Sequence, residues 1–249
     1  MKDPRNILIT GASSGIGEAL AVAYAGPGIN LALTGRDAVR LEGVVAACRA
    51  RGATVQAAII DAADRETTAR WIEELDRTTP IDLVIANAGI GVGAIDAMET
   101  EEQTRRVFSV NLDGVLNTVL PLIPKLAARR RGQIALMSSL ASFRGFPTSP
   151  TYCGSKAALR VWGEGLRGNL QAHSIEVSVI CPGFVRSRIT DRNEFPMPFL
   201  MSAERAAAIV KRGLARNRGR IAFPLPMHLL AWFIAALPTT LTDALLRRR

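Results

Sequence analysis

The 249-residue sequence predicts an α/β fold: one domain with a doubly wound, mostly parallel sheet of about seven strands and helices on both faces. Three observations carry this. Short apolar runs alternate with longer segments of helical pattern from Asn6 to Cys181. Those runs are apolar nearly throughout instead of alternating, as strands covered on both faces are. Length and composition agree: 48% hydrophobic and 21% charged residues suit a folded core and argue against disorder.

The elements follow in order. NILIT (Asn6–Thr10) reads as the first strand, with a helix from about Gly15. INLALT (Ile29–Thr34) is the second strand, followed by a helix from Asp37 to about Arg51. TVQAAI (Thr54–Ile59) is the third, with a helix over Asp64–Arg77, and IDLVIAN (Ile81–Asn87) is the fourth. Thr100 to about Arg130 reads as one long helix or two abutting ones, which Pro121 and Pro124 can bend. QIALMSS (Gln133–Ser139) is the fifth strand, Thr151–Ala172 a helix and IEVSVIC (Ile175–Cys181) the sixth strand.

Two later segments differ. Residues 184–203 read as a loop, yet carry Phe184, Phe195, Met197, Phe199, Leu200 and Met201. This is either a loop packed on its own domain or a lid that walls an apolar substrate pocket. The segment 221–249 is a hydrophobic extension with no formal charge from Ile221 to Thr242. Its run Leu229–Leu237 is far shorter than the ~20 residues a span needs. Packing in the core or at a subunit interface of a homo-dimer or larger homo-oligomer is expected. The alternative is contact with a membrane surface, assisted by Arg247–Arg249.

Net charge is +9, concentrated in Arg129–Arg131, Lys211–Arg220 and Arg247–Arg249. Solvated helix ends explain much of it. Aromatic residues are 5% of the chain and are not interleaved with the basic runs, so no nucleic-acid partner is expected. Cys48, Cys153 and Cys181 are odd in number and lack metal-ligand spacing. Reduced thiols in a cytoplasmic protein are expected, and no metal site. The opening MKDPRNILIT runs straight into a strand, so no leader peptide is expected.

The chemistry lies in motifs. TGASSGIG (Thr10–Gly17) joins the first strand to the first helix, with glycines at 11, 15 and 17. Such a turn brings backbone close to a pyrophosphate and aims free helix N–H groups at it. Gly11, Ser13, Ser14, Gly15, Ile16 and Gly17 are therefore candidate dinucleotide contacts. At the end of the second strand, Gly35 stands where an acidic residue would bind ribose hydroxyls, and Arg36 follows. A guanidinium there suits a 2′-phosphate, favouring NADP(H) over NAD(H). Asp61 ends the third strand and is either an adenine contact or a helix cap. Tyr152 and Lys156 share one helix face, which by itself describes many exposed pairs.

Together these marks resemble the short-chain dehydrogenase/reductase family. TGASSGIG, Asp61, ANAG (Ala86–Gly89), Asn111 in VNLDG, Ser139 in MSSLAS, YCGSK (Tyr152–Lys156) and PGFVRS (Pro182–Ser187) stand in the family's order. The resemblance implies a Rossmann-type fold and hydride transfer between a nicotinamide cofactor and a carbonyl/alcohol pair. It implies Tyr152 as general acid/base and Lys156 as the cation that lowers its pKa and holds the nicotinamide ribose. Ser139 would orient the substrate oxygen, and Asn111 would hold a relay water through its backbone. Asn87, Ala88 and Gly89 would line the cofactor. Pro182, Gly183, Val185 and Ser187 would meet the carboxamide. Phe143, Phe146, Phe184 and the lid suggest a lipophilic substrate. A non-catalytic dinucleotide sensor on the same fold is the rival, though it has no use for the full Asn111, Ser139, Tyr152 and Lys156 set.

Overall fold

The computed structural model describes residues 1–91, 98–192 and 195–246. Residues 193 and 194 of the expected lid and the terminal Arg247–Arg249 lie outside that range. Strands β1 (Asn6–Ile9), β2 (Asn30–Gly35), β3 (Thr54–Ile59), β4 (Leu83–Ala86), β5 (Gly132–Met137), β6 (Ile175–Pro182) and β7 (Arg220–Phe223) form one parallel sheet in the order β3-β2-β1-β4-β5-β6-β7. The order reverses between β1 and β4, which opens a crevice at the carboxyl ends of these strands.

Strand register explains the apolar runs. Along β1, Ile7 and Ile9 enter one core layer and Leu8 the other. The first layer lies under α1 (Gly15–Tyr24), α2 (Ala38–Arg49) and α8 (Ala203–Ala215). The second is covered by α3 (Arg65–Thr78), α5 (Gly114–Val119), α6 (Ile123–Arg129) and α7 (Pro150–Leu170). Each fully buried Leu or Ile contributes about 1.5–3 kcal/mol. An alternating pattern would have left charge in one of these layers.

The segment expected as one or two helices is more divided. Thr100 caps α4 (Glu101–Phe108) in a reciprocal capping box with Gln103. A π-helical stretch, Ser109–Asp113, follows, in which Gly114 N–H reaches back to the Ser109 carbonyl. The helix breaks before Pro124, inside the first turn of α6. The run 101–129 is long and apolar enough to cross a membrane by composition, but 44% of its most apolar window is buried in this fold.

β7 begins at Arg220, inside the basic stretch. Beyond it, α9 (Leu225–Ala236) and α10 (Thr239–Leu246) close the described chain. In the expected hydrophobic extension Ile221 and Phe223 enter the core, whereas no residue of α9 is buried in the subunit. Asp76, on the buried side of α3, accepts two hydrogen bonds from Arg129, at 2.6 and 2.9 Å, and one from Ile81 N–H at 2.9 Å. Burial alone would push its carboxyl pKa up, but these donors outweigh that and hold it below the ordinary value.

Candidate active site

The site assembles where β1, β4 and β5 end. Gly11 has φ +66°, and a Cβ there would meet Ala88 Cα at 2.8 Å. Gly17 is held more tightly: a Cβ would lie 2.3 Å from the Gly11 carbonyl oxygen. Asn87 Nδ2 donates to the carbonyls of Thr10 (3.0 Å) and Gly11 (3.1 Å), and the Asn87 and Ala88 amides both donate to Thr10 Oγ1 at 3.1 Å. Asn87 therefore builds the turn. Ser14 caps α1 with extended backbone and makes no side-chain capping bond, so the first amides of α1 keep their donor capacity. Bare helix amides behind a close-packed glycine turn fit a dinucleotide pyrophosphate. An open groove of about 930 Å³ continues from this turn along α1, past Ser14, Gly15, Arg186 and Ser187.

At the end of β2, a side chain at Gly35 would collide with Ser13, whose Oγ lies 2.9 Å from the Cβ position. Arg36 is exposed beside it. Asp61 is not a helix cap, because Asp64 caps α3 by accepting from Thr67 N–H. The Asp61 carboxylate instead accepts from Arg106 and from Ala63 N–H. Burial raises its pKa, but the Arg106 hydrogen bond, the Ala63 amide and the Arg106 and Arg36 charges outweigh it and lower the pKa.

Tyr152 and Lys156 lie one turn apart on α7, with Lys156 Nζ 5.8 Å from the phenol ring centroid. Lys156 is buried and its Nζ donates to the Met137 carbonyl at 2.8 Å. The Ser139 hydroxyl neighbours the Tyr152 phenol, accepts from Ala141 N–H at 3.1 Å and lies 3.5 Å from the Pro182 carbonyl. Asn111, fully buried in the π-helical stretch, accepts from Ile90 N–H at 2.8 Å. It donates to the Ile90 carbonyl at 2.9 Å and to Ser155 Oγ at 3.1 Å. Ser155 in turn donates to the Tyr152 carbonyl at 2.8 Å. Gly89 fits because a Cβ would lie 3.2 Å from Lys156 Nζ and 3.3 Å from Asn111 Oδ1.

The electrostatics correct one expectation. Tyr152 was expected to have a depressed pKa, but burial pushes it up, and the neighbouring Ser139 hydroxyl offsets this only in part. Burial also pushes Lys156 down, to about 8. Neighbouring charge counts for less here than the desolvation of both groups.

Pro182, Gly183, Val185 and Ser187 leave β6 together. Gly183 N–H donates to the Phe223 carbonyl at 2.7 Å, and Val185 pairs with Met201. Ser187 N–H donates to Thr190 Oγ1 at 2.8 Å. Ile189 stands over Gly91: its Cγ2 is 3.1 Å from that glycine's Cβ position, and Tyr152 Cδ2 is 4.0 Å from it. Phe184 and Phe195 rings meet edge to face at 5.9 Å. Thr10, Arg106, Ser138 and Ser155 have positioning contacts that the sequence reading missed; Ser138 Oγ donates to the Lys156 carbonyl at 2.8 Å. Thr10 stood inside the quoted glycine motif. Arg106 lies 45 residues from Asp61 and gives no sequence signal. All three thiols are free and buried, and no group of three or more metal-ligating side chains occurs among the described residues.

A parallel sheet with a glycine turn at its switch point and a Tyr–Lys–Ser constellation beside it defines a dinucleotide-dependent oxidoreductase. The family model "short chain dehydrogenase" matches residues 5–195, and the chain belongs to that family. It is 36% identical over 246 residues to an uncharacterized oxidoreductase of Myxococcus xanthus, covering 98% of this chain and 97% of that one. A short-chain dehydrogenase from Sphingobium yanoikuyae, solved with NADPH, superposes with TM-score 0.83 at 26% identity, covering 98% of this chain and 96% of that one. A 3-oxoacyl-[acyl-carrier protein] reductase from Brucella melitensis, solved with NAD, gives TM-score 0.76 at 26% identity over 89% and 90% of the two chains.

Proposed function

We propose that this enzyme uses NADP(H) to interconvert an apolar ketone or aldehyde and its alcohol, with Tyr152 as general acid/base. The observation that carries the reading is the half-buried Tyr152 phenol with the Ser139 hydroxyl next to it and Lys156 Nζ 5.8 Å from its ring centroid. A carbonyl oxygen placed between the two hydroxyls accepts hydrogen bonds from both. The nicotinamide, when bound, supplies the hydride to the carbonyl carbon. Tyr152 gives its proton to the oxygen as the alcohol forms, and its raised pKa keeps that proton available at neutral pH. Lys156 stabilises the resulting phenolate and lies on the path by which it regains a proton. Asn111 and Ser155 fix α7 against the loop after β4, which holds Tyr152 in register.

Gly35 and Arg36 support the NADP(H) preference. There is no room for an acidic side chain at position 35, and a free guanidinium follows. Ile189 beside Tyr152 and the Phe184–Phe195 pair support an apolar substrate and a lid role for 184–203. The Brucella relative's acyl ketone is consistent with this. The test is a panel of aliphatic, acyl-thioester and cyclic ketones assayed with NADPH and NADH side by side. NADPH is expected to give about tenfold higher kcat/KM, as one charge-assisted phosphate contact supplies. Equal or better turnover with NADH would overturn the cofactor assignment, and activity confined to small polar carbonyls would overturn the substrate class.

A further inference from the structure

One ion pair lies outside the hydride-transfer chemistry. Asp61 stands just past β3, and the register of β2 and β3 brings it next to Arg36: Gly35 and Ile59 are partners, and Ile60 N–H donates to the Gly35 carbonyl at 3.2 Å. Neighbouring strands are about 4.8 Å apart, well within the reach of a guanidinium on its long stem. Arg36 nevertheless is exposed and makes no ion pair among the described residues. Asp61 has a different partner. Arg106 Nη2 donates to Asp61 Oδ2 at 2.5 Å, and Ala63 N–H donates to Oδ1 at 3.1 Å. Both sides of this pair are held in place. Asn117 Nδ2 donates to the Ala62 carbonyl at 3.0 Å, and Asp64 N–H to the Asp61 carbonyl at 2.9 Å. On α4, Arg105 pairs with Glu101 in solvent and Val107 is 1% exposed, which leaves Arg106 between them to meet Asp61.

The arrangement decides which guanidinium is free. A carboxylate beside two guanidiniums neutralises the one it contacts and leaves the other its charge and its donors. Arg106 and Arg36 both act on the charge of Asp61, which stays ionised at neutral pH because its pKa lies below the ordinary value. With Arg106 in contact, Arg36 keeps its guanidinium for a 2′-phosphate. Without Arg106, Arg36 is the cation left to Asp61. The carboxylate would then turn to it, occupying the phosphate ligand and setting an anion beside the phosphate site.

We propose that Arg106 determines cofactor specificity: by holding the Asp61 carboxylate it leaves Arg36 free for the 2′-phosphate. Arg106 is a positioning residue that acts through Asp61, and the inference rests on the NADP(H) reading above. The experiment compares kcat/KM for NADPH and NADH, on one ketone, in the full-length enzyme. The variants are Arg106→Ala, Arg106→Gln (an uncharged good helix former), Arg36→Ala, and Arg106→Ala combined with either Asp61→Asn or Arg36→Ala. The ratio is the readout because both cofactors carry the same adenine, so a lost adenine contact cancels. In Arg106→Ala and Arg106→Gln the preference for NADPH should fall about fivefold, through KM and not kcat. Adding Asp61→Asn should restore it to within about twofold of the wild type, because no carboxylate then captures Arg36. Adding Arg106→Ala to Arg36→Ala should leave the ratio within about twofold of Arg36→Ala alone. A wild type that prefers NADPH with an unchanged ratio in both Arg106 variants would overturn this inference alone. So would equal losses with both cofactors, which would make the pair structural only, or a failure of Asp61→Asn to restore the ratio. A further drop in the Arg36→Ala background would make Arg106 a direct phosphate contact and overturn it as well. A wild type with no NADPH preference would overturn the NADP(H) reading and this inference with it.

Discussion

Two regions deal with water in opposite ways: the sheet with its covering helices, α8 included, and the loop 184–203 together with α9 and α10. In the first region apolar residues form two dry layers, and buried polar groups such as Asn111, Lys156, Ser155 and Asp76 are hydrogen-bonded within them. In the second, large apolar side chains stand in solvent on the loop 184–203 and on α9. The first region is therefore intolerant of small chemical changes. In the second, replacing the exposed side chains should change stability little. Single substitutions should separate the two.

The largest effect is expected at the phenol. Tyr152→Phe removes one oxygen and should lower kcat by about 10³-fold. NADPH affinity, followed by fluorescence, should stay within about twofold. A variant that keeps wild-type turnover would show that the buried constellation is structural only.

Next comes Asp76. Asp76→Asn leaves Arg129 without its anion and should cost about 2–4 kcal/mol in urea unfolding at neutral pH. Because the folded pKa is depressed, the contribution of the pair is complete above the ordinary carboxylate value. It is lost as pH falls through that value toward the folded one, so the wild type and variant should converge in acid. A constant gap down to strongly acidic pH would contradict the pairing.

The smallest of the three is a pH effect. Lys156 titrates near 8, so its ammonium is lost as pH rises past that point. The kcat/KM for NADPH, which reports the free enzyme, should be flat below pH 8 and fall by up to about tenfold per unit above it. Tyr152, pushed the other way, keeps its proton across this range. A flat profile to well above pH 9 would show that the buried ammonium is not required.

Six of the seven strands were legible because both sheet faces are covered: Ile7-Leu8-Ile9 and Leu83-Val84-Ile85 have no choice of side to expose. β7 was hidden because it begins at Arg220 in a basic run, and Ile221 and Phe223 are its only buried side chains. The catalytic cluster was legible as motifs, but its electrostatics were not. Helical spacing reveals that Lys156 neighbours Tyr152; it does not reveal that both lose their water. The Asp61–Arg106 pair joins positions whose proximity is created by the fold alone. For α9 the sequence showed an apolar helix but could not say which of its sides the subunit covers.

One contact between the regions has a mechanical consequence. The Gly183 amide is tied to the Phe223 carbonyl, and the Met227 sulfur lies 3.1 Å from where a Gly183 Cβ would be. The start of the loop 184–203 and the foot of α9 are thus a single joint. A displacement of α9 is therefore delivered to the peptide next to Pro182, whose carbonyl lies 3.5 Å from the Ser139 hydroxyl.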